Sequence, residues 1–189
     1  KELYPDVPVV LGGIEASLRR VTHYDYWKER MRPSVLAESG ADLLVYGMGE
    51  LPLAELCQLV ENKLCHHKDH LFADAEDFRQ LLRKYPIRQT VTLEMEDQIA
   101  GGIQPTDIVL HSHEESVKDK KLHSANFRHI EEESNKLEPL RILQKLGRWE
   151  SVDIPPHYDA RYVVVNPPFP PMTTEQIDRS FDFPYTRLP

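Results

Sequence analysis

Cysteine is scarce in this chain, and several other features that assign a sequence quickly are missing. Only two cysteines, Cys57 and Cys65, occur among 189 residues, too few for a disulfide-stabilised secreted domain. No apolar run is long enough for a membrane-spanning helix, and no signal peptide opens the sequence. From these absences we expect a reduced, cytoplasmic protein that does not bind a membrane.

A surplus of positive charge is missing as well. The chain carries 23 basic and 31 acidic side chains, which gives a net charge of −8. Proteins that bind nucleic acid usually present a basic surface that neutralises phosphate groups. We therefore do not expect nucleic acid as a partner.

Two segments of the chain place glycines directly after an apolar run. Val9-Val10-Leu11 leads into Gly12-Gly13, and Leu43-Leu44-Val45 leads into a turn that contains Gly47 and Gly49. A buried strand that ends in a tight turn before a helix is typical of parallel α/β sheets, in which ligands bind beyond the strand ends. We therefore expect Gly12 and Gly47 at the carboxyl ends of adjacent parallel strands.

The spacing of apolar residues predicts the other elements. Helices are expected at residues 34–40, 52–64, 74–85, 113–134 and 137–146, and a capping box at Thr173 begins a last one. Strands are expected at residues 88–94, 108–110 and 162–165. The fold class is therefore α/β, a partial Rossmann-like parallel sheet with flanking helices, followed by a helical and proline-rich extension.

Three parts of the chain are distinguished by composition. Residues 1–112 form the Rossmann-like portion, whose first strands we expect to lie outside this sequence because a lone strand cannot begin a parallel sheet. Residues 113–150 form a charged helical segment, and residues 151–189 form a strand followed by a proline-rich connector. The connector combines prolines with Phe169, Phe181, Phe183 and Tyr185, which are too apolar for a free linker. Because some of the pockets for these rings would belong to another domain, we expect residues 166–189 to pack poorly and to promote self-association.

Polar and glycine residues near the two turns are the candidates for ligand binding or docking. They are Gly12, Gly13, Glu15, Arg19, Arg20, His23, Tyr24, Gly47, Gly49 and Glu50. Glycine turns next to helix N-termini suit anions, and arginine and histidine bind phosphate or carboxylate or move a proton. The alternative is structural: the glycines form tight turns, and the polar residues form a salt-bridged helix start that docks onto another domain. This alternative stays open because the glycine spacing does not complete a dinucleotide-binding fingerprint.

Two further groups of residues have structural interpretations that we prefer. Cys65-His66-His67-Lys68-Asp69-His70 contains metal-ligand types, but only His111 and His113 offer a second doublet, so we predict no metal site. Tyr24, Tyr26 and Trp27 are interpreted as core or interface residues rather than as a stacking platform for bases. No residue is assigned a catalytic role, because no nucleophile accompanies the polar cluster.

The order of several motifs resembles the YgiQ-type family of radical SAM proteins. The matching segments are Gly12-Gly13-Ile14-Glu15-Ala16-Ser17-Leu18-Arg19-Arg20, His23-Tyr24-Asp25-Tyr26-Trp27, Ala41-Asp42-Leu43-Leu44, Tyr46-Gly47-Met48-Gly49-Glu50, Asp107-Ile108-Val109-Leu110, Tyr162-Val163-Val164-Val165-Asn166-Pro167-Pro168 and Pro184-Tyr185-Thr186-Arg187. The resemblance implies a [4Fe–4S] cluster and S-adenosylmethionine for the full-length parent. It also implies that this region lies ahead of the catalytic core and is similar to a cobalamin-binding-type Rossmann domain.

The cofactor motifs of that family are absent from this chain. Its C-x3-C-x2-C cluster motif is missing, and so is the D-x-H-x-x-G pattern that ligates cobalamin. A cluster of this kind needs three thiolates in one loop. We therefore expect no cofactor and no catalysis in the chain by itself.

The resemblance implies an accessory region of a radical SAM, iron–sulfur protein of unknown substrate. This region would cover the core or dock onto it in cis. The alternative is a stand-alone Rossmann-like module that binds a nucleotide or another phosphate-bearing ligand. A third interpretation is a scaffold that only binds other proteins.

Overall fold

The computed structural model describes residues 3–66, 72, 74–147 and 161–182, with the side chains of residues 64–66 excepted. The strands are β1 (Val10–Leu11), β2 (His23–Asp25), β3 (Arg30–Arg32), β4 (Leu43–Val45), β5 (Thr90–Glu94), β6 (Ile108–Leu110), β7 (Ile142–Lys145) and β8 (Tyr162–Val165). The α-helices are α1 (Gly13–Leu18), α2 (Val35–Ser39), α3 (Glu50–His66), α4 (Ala75–Lys84), α5 (His113–Lys118), α6 (Lys120–Ser134) and α7 (Thr174–Phe181).

A six-stranded mixed sheet with the order β1-β4-β5-β8-β7-β6 organises the fold, which confirms the α/β class. Parallel pairing holds for β1 with β4 and for β6 with β7. The centre is antiparallel, because β5 runs against both of its neighbours and β7 runs against β8. Strands β1, β4 and β8 consequently run in one direction and end at one side of the sheet. We call this side the carboxyl edge and define it by Gly12, Gly47 and Asn166.

Apolar side chains cover both faces of the sheet. On one face Ala16 of α1, Leu36 of α2 and Ile130 of α6 belong to or pack against a cluster built on Leu44, Val91 and Val163. On the other face α3 and α4 contribute Leu56, Phe78 and Leu82, which pack against Leu43 and Val45. Because side chains alternate along a strand, Leu44 of β4 packs in the first cluster, and Leu43 and Val45 pack in the second.

Local end signals in the sequence were sufficient to place several helices. The Ser34 hydroxyl accepts the Leu36 N–H at 3.2 Å, and α2 ends at Gly40 with φ +64°. The Asp74 carboxylate accepts the Asp77 N–H at 2.9 Å at the start of α4. Thr173 begins α7 with a complete capping box. Each of these side chains satisfies an otherwise unpaired helix-end group, so the predicted boundaries are confirmed.

The predicted helix at residues 137–146 is wrong, because Ile142–Lys145 is the strand β7. This strand lies between β6 and β8, and Ile142, Leu143 and Gln144 are all buried. A strand covered on both faces has no polar side to reveal its period. The helical spacing of Leu137, Leu140, Leu143 and Leu146 was therefore a coincidence. The sheet therefore draws strands from residues 1–112, 113–150 and 151–189.

The charged stretch from residue 113 forms two helices rather than one. Asp119 ends α5 and begins α6, because its backbone is extended and its carboxylate accepts the Lys121 N–H at 2.8 Å. A side chain that caps a new helix start competes with continuation of the preceding helix. The predicted helical character of residues 113–134 is confirmed, with this one break.

Candidate functional site

The two glycine turns lie side by side at the carboxyl edge, as the sequence predicted. Strand β1 pairs in parallel with β4, so that Leu11 aligns with Leu44. The Ser17 hydroxyl of α1 links the turns, because it donates to the Gly13 carbonyl at 2.8 Å and accepts the Gly47 N–H at 3.0 Å. Gly13 and Gly47 have φ values of +90° and +67°, a backbone conformation that side chains disfavour.

Arg20 and Tyr46 stack behind this link. The Arg20 guanidinium donates to the Ser17 carbonyl at 2.6 Å, and its Cζ lies 5.1 Å from the centre of the Tyr46 ring. The Tyr46 hydroxyl donates to the Asn166 carbonyl at 2.7 Å. Burial raises the pKa of Tyr46 to about 12, although the positive charges of Arg20 and Arg88 oppose the shift. The hydroxyl therefore stays protonated at neutral pH.

Gln89 joins the turn after β4 to the segment after β8. Its side-chain amide donates to the Met48 carbonyl and accepts the Phe169 N–H at 3.3 Å. Its backbone N–H donates to the Pro167 carbonyl at 2.8 Å, and its carbonyl accepts the Tyr46 N–H at 3.2 Å. Gln89 is buried and has φ +61°, which is uncommon for a residue other than glycine.

The start of the proline-rich segment is anchored at this edge, although we expected it to pack poorly. Asn166 is buried, and its side-chain amide donates to the Thr90 hydroxyl at 3.1 Å. The Pro168 carbonyl accepts the Arg88 Nε–H at 3.0 Å. The prediction is therefore wrong for residues 166–169, because their carbonyl and amide groups find partners at the amino end of β5. Residues 183–189, which include Phe183 and Tyr185, lie outside the described residues.

The polar residues singled out by sequence do not form one site. Glu15 of α1 pairs at 2.9 Å with Arg19, which directly follows that helix. Glu50 begins α3 at the carboxyl edge, and Gly49 directly precedes it. His23 and Tyr24 lie instead on β2, which pairs only with β3 among the described strands. The structure thus brings the glycines and Arg20 together and places the histidine elsewhere.

His23 belongs to a buried polar cluster between β2 and α5. Burial lowers its pKa, and the Arg19 and Arg32 guanidinium groups lower it further. The neighbouring Thr22 hydroxyl lies 3.0 Å from Nδ1 of His113, which is fully buried. Burial lowers the pKa of His113 to about 4, and the charges of His23 and His123 act in the same direction. Both shifts favour the neutral form of these histidines at physiological pH.

Sequence reasoning missed Arg88 and Gln89 as parts of the carboxyl edge. They precede an ordinary strand, and no motif marks a left-handed glutamine. A signal for Asn166 was present, since it follows the apolar run of β8 just as the first glycine turn follows β1. If the residue after every predicted strand is counted as a candidate for the ligand-binding edge, Asn166 is included with the glycine turns.

The residues of this chain do not fit an iron–sulfur cluster. Two cysteines cannot supply three thiolates, and Cys57 is exposed on α3. Among the described residues no three histidine, cysteine or acidic side chains are grouped to hold a metal. The segment from Cys65 to His70 lies outside the described side chains. None of the described helices has the length and apolarity needed to cross a membrane.

Comparison with known proteins gives consistent matches along the whole chain. Residues 1–189 match the family model described as Radical SAM N-terminal. A UPF0313 protein of Bacteroides thetaiotaomicron is 47% identical over 189 residues, which is all of this chain and 28% of the relative. A UPF0313 protein of Porphyromonas gingivalis is 49% identical over 191 residues, which is all of this chain and 25% of the relative.

The UPF0313 protein YgiQ of Shigella flexneri is 33% identical over 225 residues, which cover all of this chain and 29% of that protein. The chain thus spans about a quarter of the length of these relatives. No solved structure matches it. Together with the motifs at the carboxyl edge, these matches show that the chain belongs to the Radical SAM N-terminal family, as the N-terminal region of YgiQ-type radical SAM proteins.

Proposed function

We propose that this region docks onto the radical SAM core of the longer protein and covers it. The core, rather than this chain, would hold the [4Fe–4S] cluster and S-adenosylmethionine. The substrate site would then lie between core and cover. The chain by itself would not be catalytic.

Exposed apolar side chains at the carboxyl edge carry this proposal. Ile14 and Leu18 lie one turn apart on α1 and are 82% and 69% exposed. Met48 in the turn after β4 and Phe181 on α7 are exposed to a similar extent. Soluble monomers rarely leave several large apolar side chains uncovered on one side, so such a surface marks an interface.

A groove between α3 and α7 continues the same surface. Its apolar lining consists of Met48, Met172, Ile177 and Phe181, with Phe169 and Leu51 further along. Glu50, Glu55 and Arg179 stand at its sides. An apolar floor with a charged rim is the usual anatomy of a protein–protein interface.

The remaining part of the longer protein is the occupant that the comparisons favour. The relatives are about four times as long as the matched region, so a large body of chain is tethered to this region in each of them. A tethered partner has a high effective concentration, so even a modest apolar contact is occupied. We therefore assign the surface to the core in cis rather than to a separate protein.

Hydrogen exchange tests the docking directly. A chimera carries this chain in place of the matched segment of the Bacteroides relative, and its exchange is compared with that of the chain alone. Amides of α1, of residues 47–49 and of α7 should exchange at least tenfold more slowly in the chimera, because docking by about 1.4 kcal/mol or more closes them.

Two variants of the chimera locate the interface. Ile14→Lys combined with Leu18→Lys should return exchange to the rates of the isolated chain. Val117→Lys is the matched control on α5, which follows β6 at the opposite edge, and it should change nothing. Equal exchange at α1 and α7 in the chimera and in the isolated chain would show that this surface is not covered.

A further inference from the structure

We propose that Arg20 and Arg88, whose charges both act on Tyr46, bind an oxyanion of a small ligand, a phosphate or carboxylate group, at the carboxyl edge. The two arginines do not belong to the apolar surface proposed for docking, although both surfaces include the turn at residues 47–49. It uses side chains that the chain possesses by itself, and it needs no cluster or core.

The partners of these two arginines differ from those of Arg83 and Arg141. Arg83 contacts Glu94 at 2.5 Å, and Arg141 contacts Asp107 at 2.7 Å. Arg20 instead donates to a backbone carbonyl and stacks on Tyr46, and Arg88 donates to the Pro168 carbonyl. Within the described part of the chain, neither guanidinium has a carboxylate partner.

Burial makes this arrangement costly for Arg20. The side chain is half-buried, and burial lowers its pKa. The Tyr46 hydroxyl beside it stays protonated at neutral pH and therefore supplies no counter-charge. A partly desolvated cation that lacks a counter-charge is unfavourable, and an external anion relieves that cost. The nearby carboxylate of Glu15 is already engaged by Arg19.

Donor geometry favours an oxyanion with several oxygens. A guanidinium carries five N–H groups in a fixed fork, and the contacts above use one on each arginine. The remaining groups can bind phosphate or carboxylate oxygens in pairs. The Tyr46 hydroxyl is fixed by its bond to Asn166, and the positive charges of both Arg20 and Arg88 act on it.

The backbone around Tyr46 adds to the positive potential. Helix α3 has 17 residues and begins four positions after Tyr46, so its N-terminal dipole lies at this edge. Gly47 and Gly49 flank Met48 in the turn that joins β4 to this helix. Gln89 fixes that turn through the Met48 carbonyl.

Titration calorimetry on the 189-residue chain tests the inference, with inorganic phosphate, pyrophosphate and succinate as probes at low ionic strength. Tighter binding of pyrophosphate would identify a phosphate-bearing ligand, and tighter binding of succinate a carboxylate. Arg20→Gln and Arg88→Gln should each weaken binding about tenfold, because each removes charge-assisted hydrogen bonds.

Arg128→Gln is the matched control, since it removes one exposed positive charge from α6. It should leave the affinity unchanged, whereas an equal loss would reveal nonspecific charge attraction and overturn the proposal. Arg88 is exposed, so its variant should keep the unfolding temperature of the parent chain. Absence of binding by all three probes would also overturn the proposal, and it would leave the docking proposal standing because the chimera experiment uses different residues.

Discussion

Replacement of Gln89 tests whether one side chain holds the carboxyl edge together. Gln89→Ala removes the two side-chain hydrogen bonds to Met48 and Phe169 but keeps the backbone bonds to Tyr46 and Pro167. Each lost bond costs about 1 kcal/mol, and the groups left behind are partly shielded from water. We expect the free energy of unfolding to fall by about 2 kcal/mol.

The left-handed backbone at position 89 provides a second and opposite measurement. Gln89→Gly loses the same side-chain bonds but suits φ +61° better than alanine does. The glycine variant should therefore be more stable than the alanine variant by about 1 kcal/mol. In a strand of ordinary conformation the order would be reversed, since glycine is normally the more destabilising residue.

Urea unfolding followed by circular dichroism measures both differences. In a thermal scan of the same variants, a loss of about 2 kcal/mol should lower the unfolding temperature by roughly 4–8 °C for a chain of this size. Gln58→Ala on the exposed side of α3 is the matched control and should change stability by less than about 0.5 kcal/mol. An alanine variant as stable as the parent, or more stable than the glycine variant, would refute the reasoning.

Acid should destabilise the chain through its buried histidines. The folded-state pKa of His113 is about 4, below the unfolded value near 6.5, so the unfolded chain binds more protons between these limits. As the pH is lowered from 6.5 to 4, the free energy of unfolding should therefore decrease by up to about 3 kcal/mol. Urea unfolding between these limits should show a flatter pH dependence for His113→Gln, and an unchanged slope would assign the effect elsewhere. The purified chain should be colourless and free of iron because it has only two cysteines, and a brown protein with stoichiometric iron would contradict this. The chain alone should self-associate through its exposed apolar surface, and Phe181→Asp should shift sedimentation toward the monomer. A monomeric parent at high concentration would rule that out.

The strand–glycine pattern predicted the part of the site that depends on local sequence. Val10 and Leu44 lie in short apolar runs before glycine turns, and such runs are typical of a strand that ends in a turn. The neighbouring position of the two strands followed because chain connections in α/β folds are short. The caps at Ser34, Asp74 and Thr173 were predictable for the same reason, since each bonds within its own turn.

The remainder of the edge depends on pairings that local sequence does not encode. Leu143 matched a helical period, yet it is buried between β6 and β8, and only the completed sheet decides its conformation. Gln89 has a left-handed backbone because four contacts from distant segments hold it there. His23 follows Arg20 closely in sequence, but the chain turns away into β2 between them. Long-range contacts therefore determine which residues lie at the carboxyl edge.

The central position of β8 has a consequence for how the protein is made. Among the described strands of the sheet, β8 is the last in sequence, yet it is inserted between β5 and β7 and pairs with residues some 70 positions earlier. A nascent chain that has emerged only as far as β7 carries two separate half-sheets with unpaired inner edges. Such edges invite aberrant pairing until the missing strand arrives. Translation of residues 162–165 is therefore the step that closes the sheet, and a stop codon shortly before them should yield an aggregating polypeptide rather than a smaller domain.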